Sequence, residues 1–301
     1  MLVATMGQED CSLTEKMSIK NPAVIANQCG RWSYDETSDG KVRMISTDTI
    51  GVGINRNFGL QLARGDILVF ADDDLVYYDG SLQGVLDAFQ ELPDADVIFF
   101  GLDMTKGGEI YERRRHPQKQ LHIWNSLKFG AARMAIRRSA VEKARLSFSP
   151  LFGGGSIYGS GEDSLFILDC FRAGLKVYSH PYVMGTCAKD SSSWFTGYNE
   201  KYMFDRGAWI ACAFPGMKHL MKWYFLFRLK PRTELSLRKM IYYINWGIRA
   251  YPERVTYQQA VEAATLQNKQ EGDAYARRNV EKESCIAADH CNADGIGGMR
   301  Q

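Results

Sequence analysis

The sequence predicts an α/β fold built in layers. Short apolar runs rich in strand-forming residues recur at 2–5, 23–26, 42–45, 67–70 and 97–100. Helical apolar spacings lie between them, and that alternation is the mark of a sheet covered by helices. Size and composition agree. The 301 residues are 45% hydrophobic and 24% charged with a formal net charge of +2. Such a chain can build a core without metal or disulfide staples, and its charge gives no reason to expect nucleic acid as a partner. The seven cysteines form an odd, scattered set without a C-x-x-C pair, which reads as reduced thiols.

The elements follow in order. The first apolar run, Met1 to Met6, is too short for a signal-peptide core and is read as the first strand. No run reaches the ~18 apolar residues of a membrane span, so a cytoplasmic protein is expected. A helix over 55–63 carries Ile54, Phe58 and Leu62 four apart. A second helix is expected after Ser81 as its N-cap, with Leu82, Val85, Leu86 and Phe89 on the apolar face. Lys106-Gly107-Gly108-Glu109 reads as a hairpin turn, followed by the basic run Arg113-Arg114-Arg115-His116.

From Gly153 to Gly161 five of nine positions are glycine, which reads as a mobile loop. Glu162 and Asp163 then open a helix that carries Leu165, Phe166, Leu168 and Phe171 and ends at Gly174. Between 218 and 250 eight Lys/Arg face one acid, Glu234, with Trp223 to Phe227 interleaved. Leu237, Met240, Ile241, Ile244 and Ile248 follow helical spacing there. Three parts are therefore expected. Residues 1–214 form the main domain, split near 105; 215–280 form a basic aromatic helical extension; and 281–301 form a flexible tail.

The chemistry concentrates at Asp72-Asp73-Asp74, which ends the strand over 67–70. Open α/β sheets bind ligands at that end of their strands. An isolated acidic triplet is more often a solvated turn, but its place directly after a buried strand reverses that. A divalent cation, Mg²⁺ or Mn²⁺, would relieve the repulsion among the carboxylates. Gly51-Val-Gly53-Ile-Asn55-Arg56 is not a dinucleotide fingerprint, because Arg56 stands where the third glycine belongs. Arg56 near a helix start suits a diphosphate. Glu162-Asp163 at the start of a helix after the glycines suits a general base beneath a lid, with helix capping as the plainer reading.

The set N-R-N-x-G-L-x-x-A-x-G-D-x-x-x-F-x-D-x-D over 55–74, followed about ninety residues later by G-E-D at 161–163, resembles the family 2 inverting glycosyltransferases. The resemblance covers roughly residues 1 to 180 and is specific as a combination. It implies the GT-A fold, a Rossmann-like mixed sheet flanked by helices, in an enzyme of the bacterial cell-surface polysaccharide type. It further implies nucleotide-sugar contacts at Thr5, Asn27, Gln28, Asn55, Arg56, Asp72 and Asp73, with metal at Asp74 and Asp72. Asp163 becomes the general base and Glu162 its neighbour that orients the acceptor. His180 is a candidate further metal ligand, against the commoner structural histidine. Trp194 and Tyr158 are candidates for acceptor contact.

The expected activity is transfer of a sugar from a nucleoside-diphosphate sugar, UDP favoured, to a hydroxyl of a glycan or lipid-linked acceptor. Residues 218–250 are a candidate contact for an anionic membrane surface, which would make the protein peripheral. The sequence departs from the family where an acid normally reads the nucleobase, since Asn27-Gln28-Cys29-Gly30 stands there. That departure keeps alive a silent module that only binds a nucleotide or a partner. Cys285 and Cys291 beside His290 lack the spacing of a zinc site.

Overall fold

The computed structural model describes residues 1–188 and 197–267. Its contacts divide the chain into two compact units, Met1–Arg249 and Ala250–Gln301. Residues 215–249, expected as an extension, therefore share one unit with the sheet. In the second unit the described residues form a short turn at Tyr251–Glu253 and a helix over 257–267. The tail after 267, with Cys285, His290 and Cys291, lies outside the described residues.

In chain order the first unit runs β1 (Leu2–Met6), α1 (Leu13–Lys16), β2 (Ala23–Gln28), β3 (Ser33–Glu36), β4 (Val42–Thr47), α2 (Val52–Leu62), β5 (Ile67–Asp72), β6 (Leu75–Tyr77) and α3 (Ser81–Glu91). It continues with β7 (Val97–Lys106), β8 (Glu109–Arg114), β9 (Lys119–Gln120), α4 (Ile123–Ser126), β10 (Met134–Arg137), α5 (Arg138–Ala144) and α6 (Glu162–Arg172). The last elements are β11 (Val177–Ala188), α7 (Glu200–Ala213), α8 (Lys218–Leu229) and α9 (Leu237–Ala250).

All strands join one mixed sheet of order β3-β4-β2-β1-β5-β10-β7-β11-β6, with β8 beside β7 and β9 beside β11. The pairs β1–β2, β2–β4 and β1–β5 are parallel, whereas β10 runs antiparallel between β5 and β7. The chain lays β2 on one side of β1 and β5 on the other. That reversal opens a crevice at the C-terminal ends of β1 and β5, where Thr5 and Asp72 sit. Both faces of the sheet are covered. Val3, Ile25, Met44, Val69 and Ile98 pack on one side, and Leu2, Val24, Leu68, Phe70, Val97 and Phe99 on the other. Burial on both faces is why these strands read as continuous apolar runs.

The five expected strands and the Lys106–Glu109 hairpin form. Gly107 and Gly108 take φ of +60° and +85°, as a two-residue turn between twisted strands requires. The helix faces differ from the sequence reading. In α2 the buried residues are Gly53, Asn55, Arg56 and Gly59, while Ile54, Phe58 and Leu62 are half-buried. In α3 Ser81 is already helical after Gly80; its hydroxyl donates to the carbonyls of Tyr78 and Met184, and Leu86 is exposed. Of the α9 stripe, Met240, Ile244 and Ile248 are buried and Leu237 is exposed. A Cβ on Gly207 or Gly247 would lie about 2 Å from the Ile244 or Phe204 carbonyl oxygen, so glycine is what lets α7 and α9 cross closely.

The glycine-rich segment is packed, which corrects the expectation of a mobile loop. Phe152 and Tyr158 are fully buried, the Gly153 amide donates to the Tyr158 carbonyl, and the Val52 amide donates to the Gly154 carbonyl. The glycines serve close approach. A Cβ on Gly153 would meet Glu162, and one on Gly161, at φ +118°, would meet the Trp209 indole at 2.4 Å. Trp209 Nε1 donates to the Gly161 carbonyl in turn.

Candidate functional site

Five segments converge at the crevice: the ends of β1 and β5, one side of α2, the start of α6 and the chain at 129–133. Arg56 is the centre. Its side chain is only 5% exposed, and its guanidinium reaches three carboxylates. Nη2 donates to Asp72 Oδ1 at 2.8 Å; Nη1 donates to Asp163 Oδ1 at 2.6 Å and to Glu162 Oε1 at 3.2 Å. The Phe148 ring centroid lies 5.3 Å from the guanidinium carbon, and the Phe148 backbone is clamped to α2 because Asn57 Nδ2 donates to its carbonyl and its amide donates to Asn57 Oδ1. Arg56, expected at a diphosphate, here holds three acids through its two Nη groups.

Three carboxylates against one buried cation leave the cluster under-compensated. Burial and the Asp163 charge push Glu162 up to about 7, against the pull of Arg56. Burial likewise raises Asp163 above the usual carboxylate range. The Asp163 Oδ2 oxygen also accepts from the Ala131 amide at 2.9 Å. Each carboxylate oxygen keeps a second lone pair, so a held Asp163 can still take a proton.

The three β5-end acids go to three partners. Asp72 is on Arg56. The Asp73 carboxylate accepts from the Thr5 hydroxyl at 2.5 Å, and Asp74 accepts from the Cys187 thiol at 3.4 Å. Burial and the charge of Asp72 raise the Asp74 carboxyl, and burial followed by Asp74 raises the Cys187 thiol to about 12. Among the described residues no cluster of three or more His, Cys, Asp or Glu is arranged as a metal cage. The donor chemistry still fits a hard cation. Such ions are commonly held by one or two carboxylates plus substrate phosphates, and Asp74 carries the surplus negative charge one would offset.

Several of the residues expected at the site also hold the fold together. Asn27 is fully buried, accepts from the Gln8 amide, and donates to the Gln8 carbonyl and the Ser46 hydroxyl. It holds the turn after β1, with both its Oδ1 and Nδ2 in hydrogen bonds. Gln28 donates to the Gly51 carbonyl, and Asn55 donates to the carbonyls of Thr5 and Ala26, tying α2 to β1 and β2. Tyr158, expected at the acceptor, is buried against Phe152. His180 Nε2 pairs with Glu91 at 3.1 Å and Nδ1 accepts from the Tyr182 amide, so both nitrogens are engaged away from metal chemistry. Trp194 lies outside the described residues.

The sequence reading missed Asp205, whose carboxylate takes the Gly159 amide and the Lys201 ammonium and so anchors the glycine segment. The i, i+4 spacing of Lys201 and Asp205 was the available signal. It also missed that Phe129 to Arg133 adjoin Asp163. No regular pattern in the sequence marks that contact.

Residues 26–144 match the protein-family model described as glycosyl transferase family 2. No curated protein matches the chain in sequence. Among solved structures, S. aureus TarS 1–349 in complex with UDP-GlcNAc superposes with a TM-score of 0.56 at 16% identity, over 84% of this chain and 82% of that one. The same protein in complex with UDP gives 0.53 at 17%, over 84% and 81%. A mannosyltransferase, PcManGT, from Pyrobaculum calidifontis in complex with GDP-Man and Mn²⁺ gives 0.44 at 15%, over 97% and 86%, too loose an overlap to add to the argument. At these identities the TarS likeness establishes the fold. The family match runs from the end of β2 through β5 and its acids to α5, and the same region of the chain lies within a fold like that of the TarS glycosyltransferase.

Proposed function

We propose that the chain is an inverting enzyme. It would move a sugar from a nucleoside-diphosphate sugar, UDP favoured, to a hydroxyl of a glycan or lipid-linked acceptor. The observation that carries this reading is Asp163. It is a carboxylate of raised affinity for protons, fixed by Arg56 and the Ala131 amide beside the acids that end β5. Asp163 takes the proton as the acceptor oxygen attacks the anomeric carbon, and the diphosphate leaves from the opposite face. One displacement inverts that centre. Glu162 orients the acceptor, and Arg56 keeps Asp163 and Asp72 in register. Asp74 with Asp72 would hold Mg²⁺ or Mn²⁺, which when bound supplies positive charge to the leaving diphosphate.

The test is a melting series with UDP, GDP, CDP and their sugar conjugates, with and without Mn²⁺, on wild type, Asp74→Ala and Asp163→Asn. A ligand at 100 times its dissociation constant adds ~2.7 kcal/mol, a rise of roughly 5–10 °C. One nucleotide should give a Mn²⁺-dependent rise that Asp74→Ala loses. Asp163→Asn should keep that rise and lose at least ~100-fold in turnover. Wild-type turnover in Asp163→Asn removes the base assignment.

Contact with an anionic membrane belongs to the same reading, now narrowed to α8. Leu220 is 67% and Phe227 72% exposed, with Trp223 between them and Lys218, Lys222 and Arg228 alongside. Among the described residues no helix is long and apolar enough to cross a membrane. Leu220→Glu with Phe227→Glu should abolish flotation with anionic vesicles at low salt; flotation unchanged by the pair removes this contact.

A further inference from the structure

The basic run at 113–116 plays no part in the site described so far, and its fate in the fold is unusual. His116 lies edge-on to the Phe129 ring at 4.8 Å between centroids. The Arg133 guanidinium stands 5.1 Å and the Lys128 ammonium 5.5 Å from the same centroid. Phe99 stacks on Phe129 at 4.5 Å, so the ring is fixed and the three basic groups are gathered about it.

The gathering lacks its complement. His116 Nε2 and Arg133 Nη2 are shut off from solvent with no hydrogen-bond partner, although Arg133 Nε donates to the Phe100 carbonyl. Nearby Glu112 is paired with Arg114 at 2.9 Å. Burial and then the charges of Arg133, Lys128, Lys119 and Arg114 drive the His116 imidazole down to about 4. Burial and Arg114 bring Arg133 down to about 10, although the Glu112 charge pulls the other way. A buried guanidinium donor and a buried imidazole nitrogen without partners, under a surplus of positive charge, are unfavourable until an anion arrives.

Position says whose anion it is. Phe129, Gly130 and Ala131 are consecutive, and the Ala131 amide holds Asp163. Arg133 leads directly into β10, which lies between β5 and β7. The cluster therefore adjoins the Asp163 carboxylate from the β7 side. The β1–β2–β4 edge of the crevice lies on the other side of β5. A donor diphosphate tied to Asp72 and Asp74 belongs to the crevice between β1 and β5, so the anion beside the base belongs to the other substrate. A phosphate matches better than a carboxylate, because it offers more acceptor oxygens and up to two charges to several converging donors.

We infer that His116, Arg133 and Lys128, with Lys119 and Arg114 behind them, bind a phosphate group carried by the acceptor. The inference rests on the glycosyltransferase reading with Asp163 as base. It makes that acceptor a phosphorylated molecule: a sugar phosphate, a phosphodiester polymer or a lipid-linked phosphate.

The experiment follows the His116 imidazole by NMR in the full chain while inorganic phosphate is added. Phosphate should raise the His116 titration midpoint by about one pH unit, saturably, because an adjacent anion favours the charged imidazole. Arg133→Gln and Lys128→Ala should remove the response; Lys128 is exposed, so the second variant does not rest on the core. Both should retain the UDP melting shift, which reports the donor site separately. A His116 midpoint indifferent to phosphate overturns the subsite. Displacement of phosphate from His116 by UDP assigns the anion to the donor and overturns the acceptor reading. A phosphate response in a protein that no nucleotide stabilises sinks the glycosyltransferase mechanism and with it the acceptor assignment. To separate the acceptor classes, transfer is compared on a sugar, its phosphate monoester and a phosphate-bearing lipid in vesicles. A preference of tenfold or more in KM for either phosphorylated form, lost in Arg133→Gln, supports the inference; equal KM values overturn it.

Discussion

Two charged regions flank the 129–133 segment, and they are opposites. On one side three carboxylates share one buried cation, Arg56. On the other, His116, Arg133 and Lys128 surround one phenyl ring with two nitrogen atoms unpartnered. The neutral polar groups at the end of β2 behave differently again, since every hydrogen-bonding atom of the Asn27 side chain is engaged. Satisfied polar groups hold a fold in shape. Charge left uncompensated on both sides of the 129–133 segment leaves room for ligands of opposite sign.

The sharpest way to break this contrast is Arg56→Ala. It strands three carboxylates around a buried void, and removing one partner of a buried ion network costs about 3–5 kcal/mol. Urea unfolding measures it, and Arg56→Lys should recover part of the loss because one ammonium cannot fork to three acids. A loss under about 1 kcal/mol would mean that the acids are not held by Arg56.

Asn27→Ala tests the satisfied side. Stranding the Gln8 amide and carbonyl and the Ser46 hydroxyl should cost about 1–3 kcal/mol, with nucleotide affinity nearly unchanged. A large fall in affinity without loss of stability would return Asn27 to base recognition.

Glu162→Gln is the smallest and gives the sign of the acid cluster. The folded protein holds Glu162 at about 7, above its ordinary 4.5, so its ionisation opposes folding at high pH. Stability from this group is full below about pH 4.5 and is lost as pH rises through about 7. Glu162→Gln should therefore be more stable than wild type at pH 8, on the order of 1 kcal/mol, with the gap closing by pH 4.5. An equal gap at both pH values would show that Glu162 is not strained by its neighbours.

Much of this molecule was legible in order along the chain. The apolar runs at 2–5, 23–26, 42–45, 67–70 and 97–100 become β1, β2, β4, β5 and β7, because strands buried on both faces must be continuously apolar. The polar edge strand β3 and the four-residue β10 carry no such run and were not seen. The acids of β5 and Glu162-Asp163 stood out, since consecutive charges beside apolar segments are visible without a partner.

Roles were another matter. Arg56, read as a phosphate ligand, also ties three acids together, which its sequence position did not reveal. The glycines at 153–161, read as slack, are the positions where Glu162 and Trp209 press against the backbone. Residue type and spacing alone determined where the strands lie and which acids end them, because hydrophobic periodicity and charge are local properties. Which of those polar groups are spent on the fold and which stay uncompensated was decided only when α2, α6 and the 129–133 segment met. Hydrogen-bond satisfaction and electrostatic compensation depend on partners distant in the chain, such as Arg56 and Asp163, separated by 107 positions.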